Sequence, residues 1–322
     1  MSRPLVRVAA GVLLAPDGRY LACQRPEGKI AAGKWEFPGG KIEAGERPEQ
    51  ALHRELREEL GISVQAAQPL IRICHAYTDR DVQMWVYAVS AWQGRLHPHD
   101  GQNFGWFDLE GLGQLDLLGA DGPILRALAL PPCLPLSPEG ASLTELISLG
   151  RAWAAQGWTL ARLRLPTLGE ADYGRLAEKL IAEAAVGWIL DRSPEMSMQL
   201  GAAGWHASAA RLRHLTERPV SSSTWFGSSV HSKEAWLQAR AVGADYALLS
   251  PVCPTLTHPG RQALGWKGFA EVVSAGNLPT YALGGLGPLQ VGQAQLSWGQ
   301  GVSGIRAFAE IPAEKVRFGI EG

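Results

Sequence analysis

The chain has no charge bias: 30 Lys and Arg stand against 31 Asp and Glu, a formal net charge of −1. It is therefore a poor candidate for coating a nucleic-acid polymer by charge alone. It also lacks any apolar run near the ~18 residues that cross a bilayer. Residues 8–15, after Arg3 and Arg7, have the look of a short signal core. However, Pro16-Asp17-Gly18 follows at once and an apolar pattern resumes at 19–25, so strand, turn, strand is the reading. Cysteine is scarce: Cys23, Cys74, Cys133 and Cys253 form no CxxC pair, which excludes a disulfide framework or a zinc ribbon. Reduced thiols in a cytoplasmic protein are expected. There is no short repeat and no low-complexity tract. What is present is a globular composition, 46% apolar and 19% charged.

At ~150 residues per domain, 322 residues argue for two domains. The seam is proline-rich. Pro131, Pro132, Pro135 and Pro138 cannot share a helix interior. Domains over 1–130 and 131–322 are expected. In the first, strand patterns lie at 6–15, 20–24, 70–75 and 82–92, and helices at 48–60 and 123–130. This is a mixed-sheet α/β domain. In the second, strands are expected at 133–136, 159–165, 187–190, 204–206, 226–230, 246–252, 280–283 and 302–306. Helix patterns at 142–156, 170–185, 233–242, 266–275 and 289–298 lie between them. Eight β/α units read as a (β/α)8 TIM barrel, with a doubly wound open sheet as the alternative.

The segment 48–60 carries the densest chemistry. Pro48 suits a first helical turn and Gly61 a helix end. Leu52, Leu56 and Leu60 fall within an arc of roughly 80°, making one apolar stripe. Glu59 lies on that stripe, with Glu55 and Glu58 beside it. A charge there is costly unless paired or bound to a cation. Clustered hard oxygens suit Mg2+ or Mn2+ bridging to phosphates. The plainer alternative is a solvated acidic face paired with Arg54 and Arg57.

The flanks decide between them. Gly40, Glu46, Arg54, Glu55, Leu56, Glu58, Glu59, Gly61 and Ile62 fill every fixed position of the Nudix box. That box reads Gly, five residues, Glu, seven residues, then Arg-Glu-apolar-x-Glu-Glu-x-Gly-apolar. Lys34-Trp35-Glu36-Phe37-Pro38-Gly39-Gly40-Lys41-Ile42-Glu43, Tyr77-Thr78-Asp79-Arg80 and Trp92-Gln93-Gly94 resemble the MutT branch, the oxidised-nucleotide sanitisers. The resemblance spans roughly residues 5–130. It implies an α/β/α sandwich and Mg2+-dependent release of pyrophosphate from a nucleoside triphosphate, with 8-oxoguanine nucleotides as the leading substrate. It also implies the Gly39 carbonyl, Glu55, Glu58 and Glu59 as metal ligands, with Glu55 the base for water and Asp100 an outer carboxylate. Arg54 would orient the glutamates and Glu46 would fix the loop. Arg25, Glu36, Phe37, Pro38, Gly39, Arg80 and Asp121 would contact the nucleotide. Asp121 stands where MutT reads the purine edge with Asn. An ionised Asp only accepts hydrogen bonds, whereas a protonated one also donates.

In the second half, Gly284-Gly285 after an apolar run exposes backbone N–H groups to a phosphate. The strings Gly227-Ser228-Ser229-Val230-His231-Ser232 and Ser250-Pro251-Val252-Cys253-Pro254-Thr255-Leu256-Thr257-His258 resemble the thiamine-phosphate synthases and their sisters, the thiazole tautomerases. The resemblance covers roughly 132–310. It implies a phosphate-ligand site at Thr255, Thr257, His258, Gly284 and Gly285, with His231 at the tautomerase proton shuttle. Departures accompany it. Arg211 stands at one metal-binding Asp of the synthases, while Asp191 matches the other. His258 replaces a lysine. The second strand keeps Arg162 and Arg164 but has Pro166. These argue against ordinary synthase activity. The alternatives are an active synthase or tautomerase, and a non-catalytic module that binds a phosphorylated ligand of the thiamine pathway.

Overall fold

The computed structural model describes residues 3–99, 101–183, 185–254 and 262–310. Contacts divide the chain into two compact units: Met1–Ala129 with Val273–Asn277, and Leu130–Val272 with the chain from Leu278 onward.

The first unit runs β1 (Leu5–Leu13), β2 (Tyr20–Gln24), β3 (Trp35–Glu36), β4 (Gly39–Lys41), α1 (Pro48–Leu60), β5 (Ser63–Ala76), β6 (Asp81–Gln93), β7 (Asn103–Phe107), α2 (Leu109–Gln114) and α3 (Gly122–Ala129). One sheet has the order β4-β1-β6-β5, and a smaller one the order β3-β2-β7. β1 pairs parallel with β6 and antiparallel with β4, so the larger sheet is mixed. The period of two along β1 separates its faces. Gly11 looks toward Leu52 and Leu56 of α1, while Ala10 and Val12 join Ile124 and Ala127 of α3 in a core cluster. Helices thus cover both faces.

α1 forms as its sequence dictates. Pro48 opens it, the Arg47 N–H donates to Gln50, and Gly61 closes it at φ 69°. Ala51, Leu52, Leu56 and Leu60 are buried. The expected 70–75 strand is far longer, because bulges near Ala66 and Pro69 break its alternation without ending its pairing with β6. β3, β4 and β7 were not expected. Two are very short, and glycines sit within β4 and β7.

The second unit alternates β8 (Cys133–Pro135), α4 (Leu143–Ala155), β9 (Leu160–Arg162), α5 (Glu170–Ala182), β10 (Gly187–Leu190), α6 (Pro194–Gln199), β11 (Gly204–Ala207), α7 (Ala209–Leu212), β12 (Trp225–Val230), α8 (Lys233–Ala241), β13 (Tyr246–Leu249), α9 (Gly265–Val273), β14 (Thr280–Leu283), a 3-10 turn (Pro288–Gln290), α10 (Val291–Leu296), β15 (Gly301–Gly304) and α11 (Arg306–Ala309). All eight strands lie parallel in the order β8-β15-β14-β13-β12-β11-β10-β9. A parallel bridge between Leu136 and Arg162 joins the two ends, giving the expected TIM barrel rather than an open sheet. Its interior is filled by Leu134, Leu160, Ile189, Tyr246, Leu248 and Tyr281. Gly227 makes room for one of these, since a Cβ there would stand 2.0 Å from the Tyr246 ring.

Candidate functional site

In the first unit one arginine organises the acidic helix. The Arg54 guanidinium reaches back to the loop and grips Glu46 twice, with Nε 3.1 Å from Oε1 and Nη2 2.9 Å from Oε2. Nη2 also donates to the Lys41 carbonyl at 2.9 Å. Nη1 donates to Glu55 at 2.8 Å and to Glu58 at 3.2 Å. The Glu46 hydrogen bonds are the main reason Arg54 is pushed above its already high ordinary value. They also hold the Glu46 carboxyl below the usual range. Glu46 in turn accepts from the Glu43 N–H at 3.0 Å, which fixes the entry to α1.

The carboxylates meet β4. The Glu55 carboxyl lies against Gly40, where a Cβ would come within 2.2 Å of it. Glu59 accepts from the Gly39 N–H at 3.1 Å. Its charge raises the Cys23 thiol, which burial above all pushes up to about 12. Glu58 is more open, its side chain 60% exposed against 15% for Glu55. Among the described residues, no three His, Cys, Asp or Glu side chains converge closely enough to hold an ion. The expected trio shares one helix face. Two of its members are drawn to Arg54 and the third to Gly39, because guanidinium and amide donors relieve mutual repulsion. The donor chemistry still fits a divalent cation: hard oxygens at a backbone strip that only glycine allows.

Asp121 lies just before α3 and is 2% exposed. It accepts from the Phe37 N–H, and burial pushes its carboxyl up to about 8, with the Glu36 charge adding to the effect. Its Oδ2 has no partner. Burial raises Glu36 as well, offset by Arg25, whose Nη1 lies 2.5 Å away. Arg25 Nε donates to the Ile30 carbonyl. Phe37 belongs to the core cluster, and the Pro38 carbonyl accepts from Gly11 in β1. Arg80 pairs with Asp79 and lies over the Tyr77 ring, which meets the His75 ring at 4.3 Å with a 58° tilt. Asp100 lies outside the described residues.

In the barrel a cavity of about 740 Å3 opens where β8, β9, β12, β13, β14 and β15 end. His231, Gly284 and Gly285 line it. Thr255, Thr257 and His258 lie outside the described residues. The His231 Nδ1 sits 2.8 Å from the Ser250 carbonyl. In the neutral ring, donation from Nδ1 to that carbonyl would make Nε2 the lone-pair nitrogen. Gly284 and Gly285 adopt φ 118° and 63°, which a side chain would strain. Arg164 also lines the cavity, its backbone clamped by the Ser137 hydroxyl at 2.7 Å from its N. Arg306 and Glu139 line it too, and reading the sequence missed both. The available signal was positional, since both follow strand ends. Deeper in, His206 contacts the Tyr246 hydroxyl at 3.1 Å and Ser229 at 2.8 Å, and burial holds it neutral.

The chain carries a closed parallel barrel with a glycine-lined cavity and a mixed-sheet domain with an Arg-organised acidic helix. The thiamine monophosphate synthase family matches residues 133–309 and the NUDIX domain family residues 9–127. The chain belongs to the thiamine monophosphate synthase family and carries a NUDIX domain ahead of it. It is 31% identical to the thiamine-phosphate synthase of Thermus thermophilus over 183 residues, 54% of this chain and 85% of that one. It is 35% identical to the 8-oxo-dGTP diphosphatase of Escherichia coli over 79 residues, 24% of this chain and 61% of that one. A solved MutT structure from work on Aliivibrio salmonicida and Vibrio cholerae is 33% identical with TM-score 0.34, covering 38% of this chain and 96% of that one. No helix among the described residues is long and apolar enough to cross a membrane.

Proposed function

We propose that the chain hydrolyses a nucleoside triphosphate, an oxidised purine deoxynucleotide such as 8-oxo-dGTP, to the monophosphate and pyrophosphate. The barrel, with synthase activity altered or lost, holds a phosphorylated ligand of the thiamine pathway. Arg54 carries the first reading, since one guanidinium ties the β4–α1 loop to Glu55 and Glu58 and so fixes where the carboxylates stand. Gly39, Glu55, Glu58 and Glu59 would hold Mg2+, or Mn2+. Bound there, such a cation would supply charge neutralisation for phosphate oxygens and a more acidic water. Glu55 takes a proton as water adds to phosphorus. One anhydride P–O bond breaks, and pyrophosphate leaves with its electron pair. Asp121, neutral at pH 7, offers the purine edge both a donor and an acceptor, as an amide would. Four free thiols suit a cytoplasmic setting.

The test is pyrophosphate release from 8-oxo-dGTP in Mg2+. Glu59→Gln is expected to lower kcat by roughly a hundredfold or more, since it removes one anionic ligand. Unchanged turnover in that variant would remove the assignment. A bifunctional enzyme is the second reading, favoured by the orientation of His231. It requires thiazole phosphate isomerisation that His231→Ala abolishes.

A further inference from the structure

Thiamine-phosphate synthases hold a divalent cation on two aspartates at the barrel mouth, and this chain does not fit that ion. The surviving Asp191 is paired with Arg162 at 3.1 Å, the two side chains 14% and 8% exposed. The carbonyls of Asp191 and Arg192, the next available hard oxygens, both accept from Arg211. Arg192 stacks on Tyr173 and donates to the Leu165 and Leu168 carbonyls. Near β9 and β10, Arg162 holds the Asp191 carboxylate, while Arg192 and Arg211 occupy the backbone carbonyls around it. Glu170 stands 3.9 Å from Arg192 at the exposed rim. Glu139 lines the same cavity as Arg164. One Asp191 oxygen lacks a partner, as does Arg162 Nε. A cation at that oxygen would face Arg162 and Arg211 at close range, which is strongly repulsive in a poorly hydrated site. A guanidinium, unlike a metal ion, binds phosphate oxygens in a fixed fork without carboxylate ligands.

We infer that the barrel takes its phosphorylated ligand without a divalent cation, guanidinium groups standing where the metal would be. The barrel mouth has exchanged a cation that must be recruited for cations built into the chain. Arg164 and Arg306, neither ion-paired among the described residues, line the cavity with Gly284 and Gly285 and supply the direct contacts. Arg162 and Arg211 act through Asp191 and the β10 carbonyls, as positioning residues. The inference rests on the reading that the cavity holds a phosphorylated ligand.

Two measurements on the full chain test it. Electron paramagnetic resonance counts bound Mn2+. Asp191→Asn is expected to leave the count of the native chain unchanged, and a chain bearing Glu55→Gln, Glu58→Gln and Glu59→Gln is expected to bind none. A single ion that survives the triple substitution and vanishes on adding Asp191→Asn would overturn the inference. A native chain that binds no Mn2+ counts against the hydrolase reading and supports this one. Calorimetry then offers inorganic pyrophosphate to the triple variant. Binding in EDTA is expected within about twofold of that in Mg2+, and Arg164→Ala is expected to weaken it at least about tenfold. Binding that appears only with Mg2+ would also overturn it.

Discussion

Asp121 carries the sharpest residue-scale consequence. Its carboxyl is raised from 3.8 to about 8, by burial first and by the Glu36 charge second. The folded chain therefore holds a proton that the unfolded chain releases near pH 4. Stability from this group is full below pH 4 and falls as pH rises toward 8. By pH 7 the loss is up to roughly 4 kcal/mol. Asp121→Asn removes that slope. Urea unfolding between pH 5 and 8 is expected to show the native chain losing stability relative to the variant as pH rises. Turnover of an oxidised purine nucleotide is expected to drop through about pH 8 in the native chain but not in the variant. The position of Asp121 was legible in the sequence; its protonation was not. A string of letters gives neither the burial nor the orphaned Oδ2 that set it.

At the scale of elements, α1 was fully legible because cap, stripe and stop agree along one continuous segment. Leu56 is fully buried and faces β1 at Gly11. Leu56→Ala should cost about 2–5 kcal/mol in denaturant unfolding. The exposed Arg57→Ala should change stability by about 0.5 kcal/mol or less. β4 was not legible, since three residues with two glycines carry no alternation. Yet it positions the site. Gly40→Ala would press a methyl group on the Glu55 carboxyl, whose flexible end can shift. Activity is expected to fall at least about tenfold with little change in unfolding midpoint. α6 and α7 were missed for their length, although Ser193 and Ser208 cap them. A helix of four to six residues spans too little of a turn pattern to register.

For the whole molecule, alternation from β8 to β15 announced the barrel, and closure followed from the parallel bridge that no local pattern encodes. On the proposed reading the two units divide phosphate chemistry in opposite ways: one would gather carboxylates that need a cation, the other arginines that replace one. Chelation should therefore silence hydrolysis while leaving anion binding in the barrel intact. The central claim concerns the acidic face of α1, and product analysis tests it most directly. The full chain, incubated with 8-oxo-dGTP and Mg2+, should yield the monophosphate and pyrophosphate, and neither in EDTA or with Glu55→Gln. Equal product from the Glu55→Gln chain, or hydrolysis that persists in EDTA, would contradict the account.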